Sequence, residues 1–104
     1  MNTNLSSITI SELNNKILNN SEIEIIDVRT KSEYYGPLGH IPNSKLRPLS
    51  DIENTVVEYK DSKFTIEPVY IICRSGNRSS KATKKLRDNG INAINVTGGM
   101  KAWN

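Results

Sequence analysis

One cysteine among 104 residues excludes an internal disulfide, and with it the stapled scaffold of small secreted domains. The single histidine, His40, and that lone cysteine offer no ligand pair at metal spacing, so no metal site is expected and no cofactor either. Long apolar runs are also missing. The longest, Val69-Tyr70-Ile71-Ile72-Cys73, is far short of a membrane span. Met1 to Ile10 is polar and has no charged segment leading into an apolar one, so no secretory signal is read and a cytoplasmic protein is expected. Charge of one sign is not dominant: 14 basic against 11 acidic residues give +3, too mild a balance to imply nucleic acid, and no aromatic-and-basic RNA motif is visible. Repeats, low-complexity tracts and linkers are absent.

What is present is a globular composition, 36% apolar and 24% charged, in a length that fits one domain over residues 1–104. Ile8-Thr9-Ile10 reads as a short strand, and Ser11 as the N-cap of a helix with Leu13, Ile17 and Leu18 on one face. Glu22 to Val28 is isoleucine-rich and reads as a buried strand. Thr30 and Glu33 have capping-box spacing, which predicts a brief helix through Tyr34 and Tyr35, broken by Gly36-Pro37 and Gly39. A short strand over Ser44–Leu46 follows, then a helix from Pro48 to Tyr59 with Leu49, Ile52, Val56 and Val57 inward. Val69 to Ile72 is the strongest strand. A helix from about Arg78 to Asn89 buries Ala82 and Leu86 and ends at Gly90. Ala93 to Val96 is a last strand, and Gly98-Gly99 leads into a turn holding Met100 and Trp103. Strands alternating with helices predict an α/β fold with a mainly parallel sheet covered on both faces. Ligands of such sheets sit beyond the carboxyl ends of the strands, and Cys73 lies at one.

The segment Cys73-Arg74-Ser75-Gly76-Asn77-Arg78-Ser79-Ser80 carries the chemistry. A buried strand delivers a thiol into a short polar loop, and a helix begins on its far side. Backbone N–H groups of such a loop can turn inward, and the helix start adds unpaired donors and a positive dipole end. Gly76 permits backbone angles closed to other residues, and Ser79 or Ser80 is the expected cap. A thiol so placed is favoured as thiolate, the nucleophilic form. Taken alone, a lone cysteine closing an apolar run is a small core hydrophobe. The polar and basic positions that follow it reverse that reading. Arg74, Arg78, Lys81, Lys84, Lys85 and Arg87 crowd into fourteen residues with no acid among them. For the last four a solvated helix face is the plain reading, though the cluster would also concentrate small anions.

Ile26-Asp27-Val28-Arg29, Glu33-Tyr34, Gly39-His40-Ile41-Pro42, the Cys73–Ser79 block, Gly98-Gly99 and Ala102-Trp103 together resemble the rhodanese-like domain, over nearly the whole chain and in that family's order. The seven-residue cysteine block is specific; Asp-Val-Arg or Gly-Gly alone would be weak. The resemblance implies a three-layer fold, a five-stranded mainly parallel sheet flanked by helices. It implies a thiosulfate sulfurtransferase that moves sulfane sulfur through a Cys73 persulfide to a thiol or cyanide. The implied binding loop is Arg74, Ser75, Gly76, Asn77 and Arg78, with Asp27, Arg29 and Ser79 as loop supports. The partners it implies are a small anionic sulfur donor and a thiol acceptor, either a small molecule or a protein, and neither nucleic acid nor membrane. Arg74 is expected to favour thiosulfate over 3-mercaptopyruvate, since mercaptopyruvate-type loops tend to carry glycine there. Glu33, His40, Trp103 and the tyrosines are read as packing or support. Two departures, Asn43-Ser44 in place of a small Gly-Ala pair and the longer Gly36-Pro37-Leu38 turn, fall at the rim of the pocket.

Two other readings share the fold. Phosphatases and arsenate reductases place five residues between Cys and Arg, room for a tetrahedral phosphate, whereas four separate Cys73 from Arg78. A non-catalytic binding module is the other, usual where the cysteine is lost; here it is present. A protein acceptor, acidic or thiol-bearing, would find the basic stretch Lys81–Arg87 a natural dock.

Overall fold

The computed structural model describes residues 6–20 and 22–103. The chain runs β1 (Ser7–Thr9), α1 (Ile10–Asn19), β2 (Glu24–Asp27), α2 (Lys31–Tyr34), β3 (Lys45–Leu46), α3 (Ile52–Tyr59), β4 (Val69–Ile72), α4 (Asn77–Asp88), β5 (Ala93–Thr97) and α5 (Gly99–Trp103). Short 3₁₀ turns at Leu49–Asp51 and Lys63–Thr65 precede α3 and β4. The five strands lie in the order β1-β5-β4-β2-β3, and each pairing is parallel.

β4 is central, with β2 on one side and β5 on the other, and all four of its residues are buried. That is why its sequence is a continuous apolar run rather than an alternating one. The pleat splits it between two cores. Val69, Ile71 and Cys73 join Val56, Tyr59, Ala82 and Leu86 on the side of α3 and α4. Tyr70 and Ile72 join Leu13, Ile41, Val96 and Met100 on the side of α1 and α5. Because the strands are parallel, their carboxyl ends share one edge, where the segments after Asp27, Ile72 and Thr97 meet.

Several expected boundaries move. Ile10 belongs to α1, whose N-cap is Thr9 and not Ser11: Glu12 accepts from the Thr9 N–H at 2.8 Å, while the Thr9 hydroxyl accepts from Glu12 N–H at 3.1 Å. With that start, Leu13 and Ile17 face the sheet and Leu18, 75% exposed, does not. In the same way Val57 is 64% exposed on α3, and Tyr59, at 3%, fills the inward position instead. Neither Ser79 nor Ser80 caps α4. Its N-cap is Gly76, in a left-handed conformation at φ +115° and without a side-chain cap.

Candidate active site

Cys73 leaves β4 buried, at 1% exposure, with its thiol inside the loop that leads to α4. The Gly76 N–H donates to Cys73 Sγ at 3.0 Å. The Ser79 hydroxyl lies 3.2 Å from Sγ and also 3.2 Å from the Gly76 carbonyl oxygen. Burial pushes the thiol pKa up. The Ser79 hydroxyl and the N–H groups of Ser79, Gly76 and Ser75 outweigh it, so the net shift is downward, toward thiolate. Arg78 adds a positive charge in the field of the sulfur.

The loop is held open from behind by α5. Met100 N–H donates to the Cys73 carbonyl at 2.8 Å and Lys101 N–H to the Arg74 carbonyl at 3.0 Å. With those carbonyls tied to α5, the amides further along the loop are left to face the sulfur. This contact requires glycine at position 99: a Cβ there would stand 2.4 Å from the Cys73 carbonyl oxygen, and φ is +57°.

The expected loop residues divide. Arg74, Ser75 and Asn77 are exposed, and the Arg74 side chain makes no ion pair or hydrogen bond among the described residues. Arg78 is committed instead to Glu33, which accepts from it twice, at 2.7 and 2.8 Å. That guanidinium is the main reason Glu33 titrates at about 2, aided by the Thr30 capping box that the sequence predicts. The pairing of Glu33 with Arg78 was not visible in the sequence, where the two stand far apart.

Asp27 and Arg29 form a fully buried ion pair: Arg29 Nε and an η nitrogen donate to the two Asp27 oxygens at 3.0 and 2.8 Å. The same guanidinium donates to the Gly39 carbonyl at 2.7 Å, which pins the turn after α2. His40 stacks on Tyr34 with ring centroids 3.7 Å apart, and its Nδ1 is 2.8 Å from the Tyr34 carbonyl, so it serves the turn rather than the thiol. Of the cations in the basic stretch, Lys84 pairs with Asp88, Lys85 with Glu53, and Arg87 donates to the Ala93 carbonyl; Lys81 has no ion pair among the described residues. Two of the four cations are thus neutralised, one of them by Glu53 of α3, while Lys81 and Arg87 meet no carboxylate among the described residues.

Beside the loop opens a cleft of about 300 Å³ lined by Arg29, Glu33, Pro37, Leu38 and Arg74. The longer turn noted in the sequence supplies its Pro37 and Leu38 wall. Among the described residues no cluster of three or more His, Cys, Asp or Glu could hold a metal, and no helix is long and apolar enough to cross a membrane.

The rhodanese-like domain model matches residues 9–104. The chain belongs to the rhodanese-like domain family. This rhodanese-like domain is similar to a crystal structure of a rhodanese-like domain protein from Staphylococcus aureus, with a TM-score of 0.83 and 42% identity over 95% of this chain and 91% of that one. It is 35% identical to the putative sulfurtransferase YtwF of Bacillus subtilis, over 95% of this chain and 90% of that protein. It is 30% identical to the putative sulfur carrier protein YrkF of the same organism, over 97% of this chain. There the chain spans only 52% of the relative's length, and in another B. subtilis relative 60%. Sulfurtransferase and sulfur carrier are thus the roles attached by name to members that this rhodanese-like domain resembles.

Proposed function

We propose that this rhodanese-like domain is a sulfurtransferase that takes sulfane sulfur from thiosulfate or a similar anionic donor, carries it on Cys73 as a persulfide, and passes it to a thiol or cyanide. The observation that carries this reading is the Cys73 sulfur, buried, with the Gly76 N–H at 3.0 Å and the Ser79 hydroxyl at 3.2 Å.

In the first half-reaction the Cys73 thiolate attacks the outer sulfur of thiosulfate. The S–S bond of the donor breaks, its electron pair leaves with sulfite, and Cys73 becomes a persulfide anion. In the second half, cyanide or a thiolate attacks the terminal sulfur; thiocyanate or a new persulfide departs, and the Cys73 thiolate returns. No proton or outside electron is needed in either half. The Gly76 N–H and the Ser79 hydroxyl meet the thiolate charge at Sγ; in the persulfide the charge moves out to the terminal sulfur, where the loop amides and the positive start of α4 stabilise it. Arg74, exposed and without an ion pair among the described residues, is the guanidinium placed to meet the oxyanion end of a donor. Arg78 acts from behind, holding α2 through Glu33 while its charge favours the anionic sulfur. That commitment, added to the short loop, argues against phosphate chemistry, where this arginine would clamp the substrate itself. Residues 1–104 act in this reading as one domain in the cytoplasm, where a free thiol stays reduced.

Incubating reduced protein with thiosulfate and weighing it intact tests the reading. The expected result is a gain of one sulfur atom, removed by cyanide or dithiothreitol and missing in Cys73→Ser. No gain with thiosulfate, polysulfide or mercaptopyruvate would turn the assignment to a non-catalytic binding module.

A further inference from the structure

The sheet face beneath α4 changes character along β5. Ala93 packs there into the apolar core, but Asn95 and Thr97, the next residues on that face, are polar. α4 sets Ala82 and Leu86 on the core, and the corner between its Ser80, Thr83, Lys84 and Arg87, β5 and the edge strand β1 is left as a groove of about 610 Å³. No apolar side chain among the described residues lines it. Two polar atoms at this groove are buried and unsatisfied. Thr83 is 4% exposed, and its hydroxyl has no hydrogen-bond partner among the described residues. A threonine in mid-helix that faces inward ordinarily returns its hydroxyl to a carbonyl of the preceding turn. Asn95 Oδ1 is likewise buried without a partner among the described residues. Both residues line the groove, so a turn about one side-chain torsion brings either atom to a ligand. The charges there are unequal. Lys84 pairs with Asp88 at 3.2 Å, while Arg87 donates to the Ala93 carbonyl at 2.9 Å and meets no carboxylate among the described residues.

We propose that this groove binds a small polyhydroxylated organic anion, of the sugar-acid or sugar-phosphate kind. Ligand hydroxyls meet Thr83 and Asn95, and the anionic head meets Arg87 and Lys84. A sugar hydroxyl donates and accepts at once, which is what a carboxamide oxygen without a donor and a hydroxyl without a partner together lack. Completing a buried polar group in this way favours the bound state, because the unbound groove leaves that group unsatisfied. The all-polar lining argues against a nucleotide base or an acyl chain, which gain by covering aromatic or aliphatic surface. Asp88 works against the anion, since its carboxylate shares Lys84. The lining does not include Cys73, so the assignment stands apart from the sulfur-transfer reading.

Titrating the isotope-labelled full chain with gluconate and with glucose-6-phosphate, followed by backbone amide shifts, tests the assignment. Glucose and inorganic phosphate are the controls that lack the charge and the hydroxyls. Saturable shifts are expected at residues 80–88 and 95–97 with at least one of the two anions, at a Kd on the order of 1 mM, and binding about tenfold weaker or worse for both controls. Two substitutions carry the decision. Thr83→Val keeps the side-chain shape and removes a buried hydroxyl without a partner, so it should fold at least as stably as wild type and bind about threefold or more weakly. Asp88→Asn removes a carboxylate that is 61% exposed and should tighten binding about threefold at low ionic strength, a gain that unfolding does not mimic. No saturable shift with either anion, or shifts confined to residues 74–78, overturns the assignment. So does unchanged affinity in Thr83→Val or in Asp88→Asn. Inorganic phosphate binding as tightly as the hydroxylated anions would show only an ion resting on exposed cations, and it too overturns the assignment.

Discussion

The Ser79 hydroxyl has one proton and two acceptors at 3.2 Å, Cys73 Sγ and the Gly76 carbonyl. A thiolate is the stronger acceptor, so the proton turns to Sγ when the sulfur is charged and back to the carbonyl when it is not. Removing it should therefore act on the titration of the thiol. In Ser79→Ala the midpoint of the pH profile for iodoacetamide alkylation is expected to move to higher pH, with alkylation at pH 7 severalfold slower; Ser79→Thr should restore it. An unmoved midpoint would leave Ser79 a packing residue only. Gly99 acts on the same sulfur from the other side. Gly99→Ala puts a Cβ 2.4 Å from the Cys73 carbonyl oxygen, against backbone that cannot yield, whereas at Gly90 (φ +81°) a Cβ meets nothing within 4 Å. Both substitutions incur the cost of a left-handed backbone, about 1–2 kcal/mol. Only Gly99→Ala adds overpacking, about 1–3 kcal/mol more. Urea midpoints of the two variants, with thiol reactivity disturbed in Gly99→Ala alone, check the distinction.

At the scale of elements, α2 and α4 are joined by Glu33 and Arg78, and that join responds to acid. The Glu33 carboxyl titrates at about 2 in the folded chain, mainly through Arg78, against an ordinary value of 4.5. Above 4.5 the carboxylate is charged in both states and its contribution is whole. As pH falls from there toward 2 the unfolded chain takes up the proton first, and the contribution is lost. Both side chains are about a third exposed, so water screens the pair, and about 1 kcal/mol or less is expected. Glu33→Gln should then be slightly less stable at pH 7 and flatter in stability between pH 4.5 and 2, measured by urea unfolding across that range. A variant with the wild-type slope would show the join to be energetically idle. The elements themselves differ in how openly the sequence declared them. β4 was legible end to end, because a strand buried on both faces must be apolar throughout, and the Thr30–Glu33 box was legible because capping is local. Thr9 to Glu12 has the same spacing, but Thr9 also closes β1, and an apolar Ile10 beside it extends the strand pattern by one residue and shifts the expected cap to Ser11. Leu18 and Val57 went astray for a related reason: a one-residue error in helix phase turns a side chain by about 100°. The thiol loop is contiguous and could be read as a unit. The grip of Glu33 on Arg78, and of α5 on the loop carbonyls, joins distant parts of the chain. No local spacing encodes such contacts.

Over the whole molecule, parallel strand order brings the thiol loop, the α5 start and the cleft to one edge of the sheet, and the charges are not spread evenly about it. Arg74 and Lys101 stand at that edge without ion pairs among the described residues, the Lys101 amide being bonded to the Arg74 carbonyl. Lys60, also exposed and unpaired, follows α3 before the turn that feeds β4, at the opposite edge. A net charge of +3 is small, so capture of an anionic donor should depend on where a charge sits rather than on the total. Lys101→Glu and Lys60→Glu change the net charge by the same amount and test that directly. At an ionic strength of about 0.01 M, where the screening length is about 30 Å, Lys101→Glu should load thiosulfate sulfur severalfold more slowly than wild type, and Lys60→Glu within about twofold of it. Near 1 M, where that length shrinks to about 3 Å, the two variants and wild type should converge. Equal losses in both variants at low salt would mean that net charge governs capture and that the edge has no special field. A Lys101→Glu deficit that survives high salt would mean instead that this lysine touches the donor, since a contact ion pair is screened far less than a field acting through water.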